Sequence, residues 1–285
     1  MAEEKVYNLL EMAYVDAQEW FEKTDTVLIP IGSCEKHGAH VPLGTDSITT
    51  ISVTELAARK ADVPYTPLMP FGYSPHHMGR VGEGAGTITL AAETFRRVLH
   101  DIARSLIFHG ANKLVFVSHH GSNVKPIDEL LRQLRYKTGC FVAWYKTPTE
   151  RECDVVKGIL EGPPEETPGW HAGEMETAQV MAYNEKLVKM ERAVKDTAHA
   201  PRWMGPAFSK KDGTATVIFQ GSENIVVPME HHEYSDSATI GNPFRGTPEK
   251  GRALFEKEAQ HLADFVNEVK KFDFVVKNRD FPERA

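Results

Sequence analysis

Cysteine is scarce in this chain of 285 residues, and the three cysteines that are present are scattered. Cys34, Cys140 and Cys153 are odd in number and far apart, which is not the pattern of a disulfide framework. Disulfides are rare where the cell keeps thiols reduced, so a reducing compartment is the simpler expectation. We therefore expect a cytoplasmic protein.

Long apolar runs are also missing. No stretch reaches the roughly 18 consecutive apolar residues that a membrane-spanning helix needs. The first residues, MAEEKVYNLL, are acidic and lack the basic region and following apolar region of a signal peptide. Neither membrane insertion nor export is expected.

Positive charge is in short supply. The chain has 33 Lys and Arg against 40 Asp and Glu, which gives a net charge of −7 and a pI near 6.0. Nucleic acids and acidic membranes are bound through clustered Lys and Arg, so this balance favours a small-molecule substrate over either partner. With 41% hydrophobic and 26% charged residues, the composition is typical of a soluble globular protein.

Three common catalytic motifs are absent from the sequence. These are the G-x-S-x-G elbow of serine hydrolases, the phosphate-binding P-loop and the H-E-x-x-H helix of zinc proteases. The glycine-rich stretch VGEGAGT does not have the spacing of a dinucleotide-binding motif, so a flexible loop is expected there. The chemistry of this chain therefore depends on other residues.

Short apolar runs alternate with longer amphipathic segments along the chain. Runs rich in β-branched and aromatic residues predict buried strands at 26–31, 65–69, 113–118 and 140–145. Helical periodicity predicts helices at about 47–61, 93–109, 123–138, 175–189 and 253–271. Because strand and helix alternate, we expect an α/β fold with a largely parallel sheet.

The domain organisation is expected to be simple. No internal repeat or convincing linker is visible, so a single domain over residues 1–285 is predicted. Residues from about 196 to 250 are rich in Gly, Pro and His and are expected to form an irregular excursion that covers a site or mediates assembly. The Pro- and Gly-rich segment 161–169 predicts a loop that leads into the helix at 175–189.

Potential metal ligands concentrate in three segments beside predicted strand ends and helix starts. The segments are IGSCEKHGAHVPLGTDS with Glu35, His37, His40 and Asp46, SHHGSN with His119 and His120, and WHAGEMET with His171, Glu174 and Glu176. Ligands of open α/β sheets bind at the carboxyl ends of strands, where such loops lie. Carboxylate and imidazole together suit zinc, manganese or iron.

The three segments, in this order, resemble the signatures of the creatininase (creatinine amidohydrolase) family. The family pattern GSxEQHGPHLPLGTD appears here as GSCEKHGAHVPLGTD, NGHGGN appears as SHHGSN, and HAGExETS appears as HAGEMETA. A looser GxSxxH…GT element is matched by GYSPHH…GT, and GxxGxPxxATxEKG by ATIGNPFRGTPEKG. The resemblance extends from about residue 20 to residue 270.

This resemblance implies a two-metal hydrolase in a three-layer αβα sandwich. Carried over position by position, Glu35 and His120 would hold one divalent ion, His37 would hold the other, and Asp46 would bridge both. The native metal stays open between zinc, manganese and iron, because these ligands accept all three. The family also implies a homo-oligomer such as a hexamer.

The fifth ligand does not carry over directly. Creatininase has a Glu two residues after the histidine of its second motif, and this chain has Ser122 there. We therefore expect Glu174 to take the role, with Glu176 as its close competitor and as a catalytic candidate beside His171. His171 would donate a proton to the leaving group, since the ordinary pKa of histidine suits that task.

Two reactions are compatible with this site. The first expectation is C–N hydrolysis of a cyclic amide or a formamide, the commonest chemistry that the resemblance implies. The alternative is ring-opening C–C hydrolysis of a cyclic polyhydroxy diketone of the 3-dehydro-scyllo-inosose type, in inositol breakdown. Creatininase activity itself is not expected, because Ser122 replaces the ligand Glu and Trp170 does not align with the tryptophans of the creatinine pocket. A catalytically inactive metal-binding or ligand-binding subunit is a third possibility, which the intact ligand set argues against.

A further set of polar residues could surround an oxygen-rich or anionic substrate. Its members are His76, His77, Arg80, Arg202, His231, His232 and Arg245. Taken singly, each is expected to be a solvated surface residue, because His and Arg are mostly exposed.

Overall fold

The computed structural model describes residues 5–146, 155–163 and 171–284. Its main sheet contains the parallel strands β1 (Thr26–Pro30), β2 (Lys113–Ser118) and β3 (Phe141–Lys146), with β2 in the centre. The whole of β1 and β2 is buried, as expected for parallel strands covered on both faces. Cys153, Trp170 and most of the predicted loop at 161–169 lie outside the described residues.

The strand predicted at 65–69 is not a continuous strand. The segment runs beside β1 and forms isolated parallel bridges, from Tyr65 to Leu28 and from Met69 to Ile31. Pro67 lies between the two bridges and has no backbone N–H to donate to a neighbouring strand. The segment therefore extends the sheet past β1 without a regular ladder.

Seven α-helices are found among the described residues. They are α1 (Tyr14–Lys23), α2 (Thr45–Ala61), α3 (Ala92–Phe108), α4 (Asp128–Thr138), α5 (Glu174–Asn184), α6 (His231–Tyr234) and α7 (Pro248–Lys270). The five predicted helices correspond to α2, α3, α4, α5 and α7. Helix α6 and the short N-terminal helix α1 were not predicted.

Three predicted helix boundaries were wrong by about five residues. The helix expected from about residue 253 begins at Pro248, where Thr247 caps it by accepting a hydrogen bond from the Lys250 backbone N–H at 3.2 Å. The helix expected from residue 123 begins at Asp128, because Pro126 lacks the N–H that would continue the helical pattern and residues Gly121–Val124 form a 3-10 turn instead. The helix expected to reach residue 189 ends at Asn184, which is extended and accepts a hydrogen bond from the Lys186 backbone N–H at 3.2 Å.

The helices cover both faces of the sheet. Val27 and Ile29 of β1 pack with α3 and α4, through residues such as Phe95, Leu99 and Leu134. Leu28 of β1 points to the opposite face and packs with α2 and α7. Alternate side chains of a strand face opposite sides of its sheet, so this division produces the three-layer αβα sandwich expected from the sequence.

The excursion at 196–250 is more ordered than expected. It contains the short antiparallel strands β4 (Phe208–Ser209), β5 (Thr216–Phe219) and β6 (Ser222–Val226), followed by α6. Gln220 and Gly221 join β5 to β6 with φ of 49° and 79°, the backbone of a tight two-residue hairpin. A small apolar cluster that includes Val217, Tyr234 and Ile240 supports this unit. Among all described helices, none is long and apolar enough to cross a membrane.

Candidate metal centre

The candidate site lies at the carboxyl ends of the first two strands. The loop after β1 carries Glu35 and His37, the first turn of α2 carries Asp46, and the residues after β2 include His120. The first turn of α2 is tied to the start of this loop, because Ser47 Oγ donates to the Ser33 carbonyl oxygen at 2.8 Å. A Cβ at Gly32 would lie 2.2 Å from Ser47 Oγ, so glycine is required for this close approach.

The ligand atoms form two groups that share Asp46. One group consists of Glu35, Asp46 and His120, and the other of His37, Asp46 and Glu176; within each group the atoms lie within 4.8 Å of one another. Asp46 Oδ2 lies 3.2 Å from His120 Nδ1, and Asp46 Oδ1 lies 3.6 Å from His37 Nε2. The two oxygens of Asp46 therefore face different groups.

Each group contains a second carboxylate. Glu35 Oε2 lies 3.3 Å from His120 Nε2, and Glu176 Oε2 lies 3.7 Å from His37 Nε2. Glu35, His37 and Asp46 are at most 2% exposed. Three carboxylates are thus gathered in the protein interior, an arrangement that costs free energy unless cations neutralise it.

The hydrogen bonds around the ligands leave nitrogen and oxygen lone pairs for a cation. The Nδ1 of His37 lies 3.1 Å from the Glu35 carbonyl oxygen and can donate its proton there, which leaves Nε2 free to bind a metal. Asp46 Oδ2 has no hydrogen-bond partner among the described residues, although His120 Nδ1 lies close to it. A nitrogen and an oxygen that approach without sharing a hydrogen bond fit two ligands of one divalent ion.

The protonation equilibria of the centre show the same excess of negative charge. Burial disfavours the charged form of His37, but Asp46, Glu176 and Glu35 outweigh burial and raise its pKa to about 10. Burial, together with the charges of Asp46 and Glu35, raises the pKa of Glu176 to about 7 against the opposing effect of His37. His37 and Glu176 thus hold protons more strongly than usual because carboxylates surround them. A divalent cation would neutralise the same negative charge.

Glu174 is not brought to this cluster. Its carboxylate lies 2.6 Å from Lys250 Nζ and accepts hydrogen bonds from the backbone N–H groups of Glu161 and Gly162, each at 3.1 Å. Glu174 belongs to none of the ligand groups among the described residues, so the expected placement of this residue is not met. Glu176, its competitor, is the acidic residue of α5 that reaches the centre.

His171 lies against the centre. Its ring stacks on that of His37, with 4.1 Å between the ring centroids, and its Nε2 lies 2.7 Å from the Lys36 carbonyl oxygen. If Nε2 donates its proton to Lys36, then Nδ1 is the nitrogen available to other groups. Burial first, and then the positive charges of His37 and His231, hold the pKa of His171 well below its usual range.

Two histidines of the site were expected to be surface residues. His77 and His231 are 5% and 2% exposed, and together with His171 they form a third group of potential ligands. His77 Nε2 lies 3.4 Å from Glu35 Oε1, and the Nδ1 atoms of His77 and His231 are 2.8 Å apart. His77 ends the GYSPHH element, which could have revealed it, whereas the only sequence signal for His231 was its membership of the polar set proposed to surround the substrate.

A cavity of about 350 Å³ opens over the ligand groups. His76, His77 and His231 line it, while Arg80, Arg202, His232 and Arg245 of the same polar set do not. Ser122, the residue that replaces the expected Glu, also lines the cavity, and its Oγ lies 3.4 Å from His76 Nε2. The excursion therefore contributes His231 to the wall, and the cavity is polar beside the ligands.

Comparison with protein families gives one matching model, described as creatinine amidohydrolase, over residues 10–266. Creatinine amidohydrolase of Pseudomonas putida is 27% identical over 253 residues, which are 85% of this chain and 88% of that protein. The mycofactocin precursor peptide peptidase of Mycobacterium ulcerans is 28% identical over 253 residues, or 87% and 85% of the two chains.

A third relative is named for a different activity. The 3-dehydro-scyllo-inosose hydrolase of Thermotoga maritima is 28% identical over 188 residues, which are 64% of this chain and 58% of that protein. This match covers a smaller share of both chains than the other two matches do.

Solved structures share the fold. A crystal structure of creatinine amidohydrolase superposes with a TM-score of 0.72 at 24% identity, covering 95% of this chain and all of that one. A manganese form of creatininase gives a TM-score of 0.71 at 24% identity, over 94% of this chain and 100% of that one. A variant of the Zn–Zn type gives 0.70 at 25% identity, again over 94% and 100%.

Proposed function

The chain belongs to the creatininase family of metal-dependent hydrolases, and we propose that it uses two divalent ions to hydrolyse a carbonyl compound. The observation that carries this proposal is the pair of ligand groups that share Asp46. Glu35 and His120 would hold one ion, His37 and Glu176 would hold the other, and Asp46, which faces both groups, would be shared between them. The donors are carboxylate and imidazole, which suit zinc, manganese or iron.

Two divalent ions held by these residues would polarise a carbonyl and lower the pKa of a water molecule, so that hydroxide would be available at neutral pH. The protein residues orient this chemistry. Ser33 Oγ donates to Glu35 Oε2 at 3.1 Å, and the Lys36 carbonyl fixes the ring of His171 beside His37. Buried ligands held by such contacts keep their geometry while the substrate enters.

His171 is the residue that moves a proton in this proposal. With Nε2 tied to the Lys36 carbonyl, Nδ1 takes the proton released from water and, because burial holds the pKa of His171 well below its usual range, gives it up readily to the departing atom. The stacking of His171 on His37 keeps this transfer next to the ligand groups.

C–N hydrolysis of a small cyclic amide or a formamide is the proposed reaction. An amidohydrolase and a peptidase are among the relatives, and both names describe the hydrolysis of a bond between a carbonyl carbon and nitrogen. Ser122 in place of a ligand Glu argues against creatinine as the substrate, because Glu176 supplies the missing carboxylate from a different element.

Ring-opening C–C hydrolysis of a cyclic polyhydroxy diketone is the second candidate. It is favoured by the polar wall of the cavity, where His76, His77 and His231 can bond to hydroxyl groups. The Thermotoga maritima relative is named as a hydrolase of 3-dehydro-scyllo-inosose, the type of substrate that this candidate reaction would use. A substrate panel separates the two candidates, because the first releases an amine or formate and the second forms a keto acid without releasing an amine.

The first test is metal content. Protein purified without chelator, or reconstituted with zinc, manganese or iron, is expected to contain about two ions per chain by elemental mass spectrometry. Asp46→Ala should lose both ions and all activity, because Asp46 faces both ligand groups. Asp128→Ala is the matched control, since Asp128 is exposed in the first turn of α4 and pairs with Arg132.

Fewer than about half an ion per wild-type chain after reconstitution would contradict the metal centre. Metal loading with no turnover of any amide, formamide or diketone would instead favour an inactive binding subunit.

A further inference from the structure

His119 differs from the family pattern at a position inside the site. The second signature reads NGHGGN in the family and SHHGSN here, so His119 stands where the pattern has glycine. The residue directly precedes His120 and lines the cavity. The wall of the site therefore contains an imidazole next to a proposed metal ligand, at a position where the family pattern has no side chain.

The imidazole of His119 is held by a buried carboxylate. Its Nε2 lies 2.8 Å from Glu258 Oε2, and the two side chains are 2% and 0% exposed. Gln179 Nε2 donates to the other oxygen of Glu258 at 3.2 Å. The backbone N–H of His119 also donates to Thr50 Oγ1 at 3.0 Å. Contacts from α2, α5 and α7 thus fix both the backbone and the ring.

The second nitrogen of this ring has no hydrogen-bond partner in the described parts of the chain. His119 Nδ1 is buried and forms no hydrogen bond with any residue that the structure describes. In the neutral ring, Nε2 donates its proton to Glu258, so Nδ1 carries the lone pair and accepts a hydrogen bond. A buried acceptor without a partner costs free energy, and a ligand in the adjoining cavity can remove that cost.

We propose that His119, oriented by Glu258, binds the substrate by accepting a hydrogen bond from a hydroxyl or N–H group at Nδ1. The proposal rests on the metal-dependent function above and narrows its substrate class to carbonyl compounds with such a donor near the reacting carbon. Glu258 acts through His119 and is a positioning residue. The pair separates this chain from family members that have glycine at this position.

The test uses three small hydroxamic acids, which bind divalent ions through the same chelating group. Acetohydroxamic acid has no further donor, glycolohydroxamic acid adds a hydroxyl, and glycine hydroxamate adds an amine. Binding of each to the zinc-loaded full chain is measured by calorimetry. One of the two donor-bearing probes should bind about fivefold to tenfold more tightly than acetohydroxamic acid, the size of one hydrogen bond, and its identity tells hydroxyl from N–H.

His119→Gly should abolish this preference while its metal content and its affinity for acetohydroxamic acid stay at the wild-type level. Glu258→Gln should reduce the preference, because the amide no longer dictates which ring nitrogen carries the proton. His109→Gly, an exposed histidine after α3, is the matched control and should keep the preference.

Each contrary outcome has a distinct meaning. Equal binding of all three probes to the wild type, or a preference that survives in His119→Gly, overturns the role of His119 alone. Loss of metal in His119→Gly overturns it as well, because His119 would then support the metal centre. Failure of the metal-loaded wild type to bind acetohydroxamic acid removes the proposed metal centre and this inference with it.

Discussion

Glu174 and Glu176 are two positions apart on one helix and have different surroundings. Two residues along an α-helix turn the side chain by roughly 200°, so neighbouring acidic residues face different parts of the molecule. Glu174 faces Lys250, and Glu176 faces His37. A sequence motif that contains both residues does not say which of them meets the metal.

Conservative variants of the two residues should separate their roles. Glu176→Gln is expected to lose one of the two ions, because an amide is a weaker ligand than a carboxylate. Glu174→Gln should keep both ions and lower the free energy of unfolding by about 2 kcal/mol, since Lys250 loses a buried partner. Elemental analysis and urea unfolding measure the two effects. Loss of metal in Glu174→Gln would return the ligand role to that residue.

His171 offers a test of proton transfer without loss of the centre. His171→Ala should retain the metal content of the wild type, because the five proposed ligands are unchanged: Glu35, His37, Asp46, His120 and Glu176. Its kcat/KM should fall at least about 100-fold, the usual size of a general acid–base contribution. His199→Ala, a partly exposed histidine outside the cavity, serves as the control. Full activity of His171→Ala would contradict the proposed role.

Most residues that meet at the centre could be predicted from the sequence. Glu35, His37, Asp46 and His120 belong to family signatures, and the structure brings them together. The sequence offered His231 as one of seven polar candidates but could not single it out, because it comes from the excursion and reaches the cavity only through the folding of α6. Local patterns identify residue types well but do not identify long-range neighbours.

Helix α5, which carries Glu176, packs closely against α7. They approach closely at Gly251, where an added Cβ would lie 2.0 Å from the Ala178 carbonyl oxygen and 2.7 Å from Ala182 Cβ. Glycine usually weakens a helix interior, so its presence in α7 reflects this packing. The contact connects the C-terminal helix to the metal centre through α5.

Gly251→Ala should therefore push α5 away from α7. We expect a loss of about 1 to 3 kcal/mol in the free energy of unfolding, the usual cost of overpacking, together with weaker binding of the ion next to Glu176. Arg252→Ala, an exposed change on the same helix, should alter stability by less than about 0.5 kcal/mol. Thermal unfolding and metal titration measure both quantities. Wild-type metal affinity in Gly251→Ala would show that α5 is positioned by other contacts.

At the scale of elements, the sequence predicted types better than ends. The apolar runs of β1, β2 and β3 and the amphipathic patterns of five helices were sufficient to predict the layered fold. The errors occurred at Pro67 and Pro126, where a missing backbone N–H interrupts a regular pattern. They also occurred in the excursion, because strands β4 to β6 are short and alternate only weakly between apolar and polar residues. Such a pattern does not distinguish strands from irregular structure.

The whole molecule should depend on metal for part of its stability. A ligand that binds only the folded state adds about 2.7 kcal/mol at a free concentration of 100 Kd. Treatment with a chelator should therefore lower the Tm of the wild type by several degrees and leave the Tm of Asp46→Ala unchanged. Scanning calorimetry with and without chelator tests this expectation. An equal shift in both proteins would indicate that the chelator acts at another place.

Domain organisation, cellular location and assembly remain predictions. A single domain should unfold in one cooperative transition once metal is saturating. A homo-oligomer, which the family resemblance implies, should appear in light scattering at a multiple of the 31.9 kDa chain mass.

The order of ligands along the chain affects how the protein matures in the cell. Glu35, His37, Asp46 and His120 leave the ribosome well before Glu176 and His231. A nascent chain would therefore carry an incomplete set of the proposed ligands, and we expect it to bind ions weakly until α5 has been synthesised and folded. Metal acquisition would then be a late step of biogenesis, in which the completed polypeptide rather than the growing one competes for the cell's divalent ions.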